Sequence, residues 1–182
     1  MDLSTELLTK ENFFQLFSLP PGWTVDRELL DSRYRKLQQT FHPDRFSTKG
    51  DVDKRLAMQT TSLINQAYDT LKSPLKRAQY LLELEHVDAS QKSHITSDSH
   101  FLMQQIEFRE ALGDIGDNAD PFKTLDTMRT DAQRHYLQLQ NDFQAQHLAA
   151  DYTNALDTVA KMQFFAKLLN EIELREEELE DL

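Results

Sequence analysis

Apolar residues recur along most of this chain at intervals of three and four, the spacing of one face of an α-helix. Residues 13–19, FFQLFSL, predict a short aromatic-rich helix that stops before Pro20, Pro21 and Gly22, where ring constraints and a missing N–H break the ladder. Asp26 then fits an N-cap, and Leu30, Tyr34, Leu37 and Phe41 follow as one stripe that Pro43 ends. From about Asp51 to Leu71 a third helix keeps Ala57, Thr60, Ile64, Ala67 and Leu71 in register, beyond a loop over residues 42–50. Ser73 and Pro74 fit the N-cap and first position of a fourth helix, PLKRAQYLLELE, with Leu75, Ala78 and Leu82 on one side.

Periodicity lapses over residues 86–97, HVDASQKSHITS, a polar stretch that reads as a junction. Beyond it, a helix capped by Ser97 or Asp98 runs to about Leu112, one capped by Asp120-Pro121 runs to about His147, and the last runs from about Ala150 into the acidic end. Three helices on short turns imply an antiparallel bundle. The expected fold class is all-α, with a first unit over residues 1–85, a junction over 86–97 and a second unit over 98–182.

Composition narrows the picture. Four glycines and five prolines in 182 residues suit helices on short turns better than a turn-rich sheet, and 39% apolar content suffices for real cores. Cysteine is absent, which excludes disulfides, thiolate zinc sites, Cys-ligated clusters and cysteine nucleophiles within the chain. No run approaches the roughly 18 apolar residues of a membrane span, and the N-terminus lacks a basic stretch followed by an apolar one, so the expected location is cytoplasmic. Net charge is -11, yet residues 1–85 carry 12 Lys+Arg against 12 Asp+Glu, whereas residues 86–182 carry 8 against 19. The acidic half argues against nucleic acid as a partner, and the asymmetry suggests two units with different electrostatic tasks.

The loop QQTFHPDRFST, residues 38–48, carries the first candidate chemistry. Pro43 stops the helix and stiffens the turn, so the flanking His42 imidazole and Asp44 carboxylate are held in place. Off its apolar stripe the second helix offers Arg27, Arg33, Arg35 and Lys36, with Arg45 just beyond, a positive face suited to an acidic partner. Taken singly, His42-Pro43-Asp44 also fits a plain helix stop. Placed between two antiparallel helices, with INQAYDTLKSP in the third, it resembles the J-domain of DnaJ-type co-chaperones. That resemblance implies that His42, Pro43, Asp44, Arg33, Arg35, Lys36 and Arg45 dock on a DnaK-type chaperone and trigger its ATP hydrolysis.

A general DnaJ would continue into a Gly/Phe-rich stretch and a zinc module or β-sandwich. Here SPLKRAQYLL leads instead to FLMQQIEFREAL, residues 101–112, which closely resembles the HscB family, J-proteins dedicated to iron-sulfur cluster biogenesis. The resemblance spans residues 12–178 and implies a bent two-lobed molecule, a J-domain hairpin from about residue 12 and a C-terminal three-helix bundle. It further implies that the bundle binds an IscU-type scaffold through Leu102, Met103, Ile106, Glu107, Glu110 and Asp114, with Phe164 beside them, and that an HscA-type chaperone then acts on the scaffold. Those six residues fall on one helical stripe, an apolar head that supplies contact area and an acidic tail that supplies orientation. Apolar residues at helical spacing also serve as core, and Phe101, Ile106, Phe108 and Leu112 cannot all face outward.

The sequence departs from general J-domains at one position and from the HscB family at another. Asp31 lies early on the usually basic second helix, which fits a specialised chaperone partner, and Gln104 stands where the family is commonly acidic. No CxxC module precedes the J-domain, which points to the bacterial form. His86, His94 and His100 bracket the junction without metal-like spacing, so no metal or cofactor is expected on this chain. No nucleophile, base and cofactor loop come together, which counts against an enzyme. Two alternatives stay open, a J-domain co-chaperone for another client and an all-α interaction module, and so does a weak homodimer through the apolar face of the bundle.

Overall fold

The computed structural model describes residues 7, 9–46, 50–88 and 98–181, Pro43 through its backbone. Residues 89–97 of the expected junction, Ser97 and His94 among them, lie outside the described residues. Among the described residues there is no strand, and no helix is long and apolar enough to cross a membrane. The helices are α1 (Phe13–Leu16), α2 (Arg27–Phe41), α3 (Asp51–Lys72), α4 (Pro74–Leu84), α5 (Ser99–Gly113), α6 (Pro121–Leu148) and α7 (Tyr152–Glu180). Two short 3-10 turns, Pro43–Phe46 and Asp114–Asp117, fall where loops were expected. The chain forms two compact units, Met1–Leu81 and Leu82–Leu182, so the division falls inside α4.

Short polar side chains start the helices. Asn12, Asp26, Asp98, Asp120 and Asp151 each accept the amide hydrogen three residues on, at 2.9–3.3 Å, satisfying a donor that would otherwise lack a partner. Three helices end with a left-handed residue that is not glycine: Ser18 after α1, His86 after α4 and Ala150 after α6, at φ 52°, 60° and 54°. Each sits in the two-bond helix stop that a left-handed C′ residue makes. After α6, for example, Ala150 N–H donates to His147 and Asp151 N–H to Gln146.

In the first unit α2 and α3 run antiparallel. The pairs Asp31–Tyr68, Gln38–Asn65 and Phe41–Thr61 fall in number along one helix as they rise along the other. Their seam buries Leu30, Phe41, Ala57, Ile64, Ala67 and Leu71, while Tyr34 stacks on Tyr68 at 3.9 Å between ring centroids. Helix α1 adds Phe14 and Phe17 to the core and is capped by Tyr80 of α4, whose hydroxyl accepts the Phe13 amide hydrogen at 2.9 Å.

In the second unit α6 and α7 form the long antiparallel pair. Arg129 meets Glu176, His135 stacks on Phe165 and Gln146 bonds Thr158, again in descending order. The core gathers Phe101, Ile115, Leu125, Met128, Ala132, Phe165, Leu168 and Ile172. Helix α5 contributes only Phe101 as a fully buried side chain and leaves its other face to solvent.

Candidate functional site

The end of α2 builds the first surface. His42 leaves the helix with ψ 129° and the 3-10 turn starts at Pro43. Three bonds fix this corner. Thr61 Oγ1 of α3 donates to the Phe41 carbonyl at 2.8 Å, Arg45 N–H donates to the His42 carbonyl at 3.0 Å, and the Arg45 guanidinium donates to the Gln39 carbonyl at 2.9 Å. Arg45 thus serves as a cation on the last carbonyls of α2, where the helix dipole favours it. The Asp44 amide donates to His42 Nδ1 at 3.3 Å, and the carboxylate lies 3.6 Å from the same nitrogen. With side-chain exposures of 54% and 91%, His42 and Asp44 stand out from the surface on a braced backbone.

The basic residues beside this turn divide. Arg35 and Lys36 are exposed, Arg35 donating back to the Asp31 carbonyl at 3.2 Å. Arg33 departs from the expected face. Its guanidinium turns to the carbonyls of Phe17 and Ser18, which the left-handed stop after α1 leaves without a helical donor. Asp31, the acidic departure, pairs with Arg27 at 2.9 Å and accepts the Tyr68 hydroxyl at 3.0 Å. Burial, and after it the Asp31 hydrogen bond, pushes the Tyr68 phenol above its ordinary range. The outward positive surface on α2 is therefore Arg35 and Lys36.

Helix α5 builds the second surface. Leu102, Met103 and Ile106 are 38%, 58% and 49% exposed, and Glu107, Glu110 and Asp114 continue the stripe, all exposed. Phe164 of α7 is half-buried: its ring meets Phe101 edge-on at 5.6 Å and Phe165 at 5.2 Å, so only part of it is available to a partner. Gln104 points inward and bonds His135 Nε2 at 2.9 Å, which explains an amide at this position. Burial, with Arg134 adding to it, holds the His135 pKa below the ordinary histidine value.

One carboxylate joins α5 to α7. Asp98 Oδ1 accepts the Phe101 amide hydrogen at 3.1 Å and Oδ2 accepts Lys161 Nζ at 2.7 Å. Asp157 holds the same ammonium at 3.0 Å. The Lys161 hydrogen bond lowers the Asp98 pKa. Burial works to lower that of Lys161, but the hydrogen bonds it donates to Asp98 and Asp157 outweigh it and the net shift is upward. Lys161, His135 and the inward role of Arg33 were not singled out in the sequence, where each reads as one more polar residue on a helix.

Comparison with known proteins follows the same division. A model of the DnaJ domain matches residues 12–80, and a model of the HSCB C-terminal oligomerisation domain matches residues 97–173. A co-chaperone protein HscB homolog of Vibrio cholerae is 42% identical over 171 residues, covering 92% of this chain and 98% of that protein. One of Shewanella halifaxensis is 39% identical over 173 residues, covering 93% and 99%. The solved structure of chaperone HscB from Vibrio cholerae superposes with a TM-score of 0.82 at 39% identity, over 92% of this chain and 99% of that one.

Proposed function

The chain belongs to the HscB family of co-chaperones, and from that premise we propose that it binds an IscU-type iron-sulfur scaffold and delivers it to an HscA-type, DnaK-like chaperone, stimulating ATP hydrolysis during cluster assembly and transfer. One observation supports the client half of this reading. Leu102, Met103 and Ile106 stand exposed on one turn and a half of helix whose opposite face already packs on a core, with Glu107 and Glu110 next along the stripe. An apolar centre with a charged margin is the composition of a binding patch.

The chaperone half is supported by His42 and Asp44, exposed on a braced turn, next to Arg35 and Lys36. Both surfaces lie on one chain. A scaffold held at α5 therefore meets the chaperone engaged at the turn at an effective concentration far above its free one.

The test is the ATPase rate of the HscA-type chaperone, with and without scaffold, in the presence of this protein or its Asp44→Ala variant. Stimulation by the wild type, loss in the variant and a further rise with scaffold are the expected results. Stimulation indifferent to scaffold removes the client assignment, and no stimulation removes the reading altogether.

A further inference from the structure

Helix α5 has two demands on it. Its outer stripe must stay uncovered to meet a partner, so only its inner face can hold it to the unit, and there Phe101 is the sole fully buried side chain while Phe108 and Leu112 are half-buried. The apolar head of the stripe, Leu102 and Met103, lies where the first turn passes into the second, close to the end at which a helix frays most readily. That turn must also stand at a fixed distance from Phe164, which lies on a different helix.

The link between the two is Lys161. Its side chain is 18% exposed, and its ammonium reaches Asp98 at 2.7 Å, Asp157 at 3.0 Å and the face of the Phe101 ring at 5.6 Å from the centroid. Asp157, one turn earlier on α7, fixes the Lys161 side chain from its own helix. Asp98 uses its second oxygen to cap α5, and its backbone carbonyl accepts the Leu102 amide hydrogen at 3.0 Å. Phe101, under the ammonium, is also the ring against which Phe164 packs edge-on. From this geometry we infer that Lys161 is a positioning residue for the scaffold-binding surface, fixing the first turn of α5, and with it Leu102 and Met103, relative to Phe164.

The inference rests on the scaffold reading above. Lys161 is largely shielded while Asp98 is 40% exposed, so the pair acts less through its strength than through its geometry, one carboxylate serving both the ammonium and the helix cap. Its loss should loosen α5 without unfolding the unit, because the seam of α6 and α7 keeps Leu125, Ala132, Leu168 and Ile172 as its own core.

The experiment compares the wild type with Lys161→Met, Lys161→Arg, Asp98→Asn and the Lys161→Met/Asp98→Asn double variant. Asparagine still caps, so Asp98→Asn removes the charge and leaves the start of the helix. Amide exchange is read at Leu102 and Met103, and affinity is read by titration with the purified IscU-type scaffold. Lys161→Met and Asp98→Asn should each exchange faster there and bind about tenfold more weakly, the double variant no worse than either, and Lys161→Arg should stay within about threefold of the wild type. Exchange at Leu125 and Ala132 should not change in any of them. Equal affinity in Lys161→Met and wild type, or additive losses in the double variant, overturns the inference alone. A wild type that does not bind the scaffold overturns the reading itself and, with it, this role. Should Lys161→Met not fold, Asp98→Asn and Lys161→Arg make the same comparison.

Discussion

Arg33 donates to the backbone carbonyl of Phe17 at 2.6 Å, so a residue on the basic helix of the J-domain serves as the tie for the short helix before it. A guanidinium that satisfies two carbonyls is worth more to the fold than a charge in solvent. Arg33→Met keeps the stem and removes the donors, and should cost about 1.5–3 kcal/mol. Arg35→Ala and Lys36→Ala should each stay within about 0.5 kcal/mol of wild type yet reduce chaperone stimulation. Urea midpoints of the three variants decide it: equal stability of Arg33→Met and Arg35→Ala would sink the distinction.

Ala150 sits at φ 54° between α6 and α7, a conformation in which its Cβ crowds the following carbonyl. Ala150→Gly removes that crowding and loses part of the gain to a more flexible unfolded chain. The net expected gain is about 0.5–1 kcal/mol. It should appear as a higher thermal midpoint for the second unit. A lower midpoint would show that the turn is not strained at this residue.

His135 links folding to pH. Burial first, and Arg134 after it, depress its folded pKa below the ordinary 6.5, while Asp131 opposes them and His100 adds to them. Both states are neutral well above 6.5, so no penalty exists there. As pH falls through 6.5 the unfolded chain takes up the proton before the folded one, and stability is lost down to the folded pKa. Urea midpoints at pH 7.5 and pH 5 should therefore differ more for wild type than for His135→Gln. The same slope in both proteins would count against this role.

Phe164 and Phe165 are neighbours with different tasks. Phe165 is buried against Phe101, Phe108 and His135, so Phe165→Ala should cost about 3–5 kcal/mol. Phe164→Ala, from a half-buried ring, should cost less. Leu102→Ala and Met103→Ala should each change stability by under about 0.5 kcal/mol while weakening scaffold binding roughly tenfold. Chemical unfolding beside scaffold titration checks all four, and loss of stability without loss of binding at Leu102 would reassign that residue to the core.

The helices were legible because their signals are local. Asp26, Asp98 and Asp120 accept the bonds that cap residues are expected to accept, and the stripe Ala57, Thr60, Ile64, Ala67, Leu71 is buried as its period requires. The first helix is shorter than its apolar run, Phe13–Leu16, because Ser18 turns left-handed and ends it before Pro20 can. The stop at Pro43 continues as a 3-10 turn because a single i to i+3 bond, Arg45 to His42, does not need the proline nitrogen. Arg33, Lys161 and His135 were not legible, since their partners lie 15 or more, 63 and 31 residues away and no periodicity announces such pairings.

The corner at the end of α2 has an entropic consequence. Its bracing bonds come from Thr61 and Arg45 and end on backbone carbonyls, so the turn is ordered before any partner arrives. On the function proposed above, docking then costs side-chain freedom at His42 and Asp44 and little main-chain freedom, where ordering a loose loop would cost about 1–2 kcal/mol for each residue fixed. The carbonyls of Gln39 and Phe41 would be offered by any residue at those places. Sequence change at 39 can therefore proceed without disturbing the turn, whereas replacing Thr61, on a different helix, would slacken it and, on the function proposed above, weaken docking with His42, Pro43 and Asp44 unchanged.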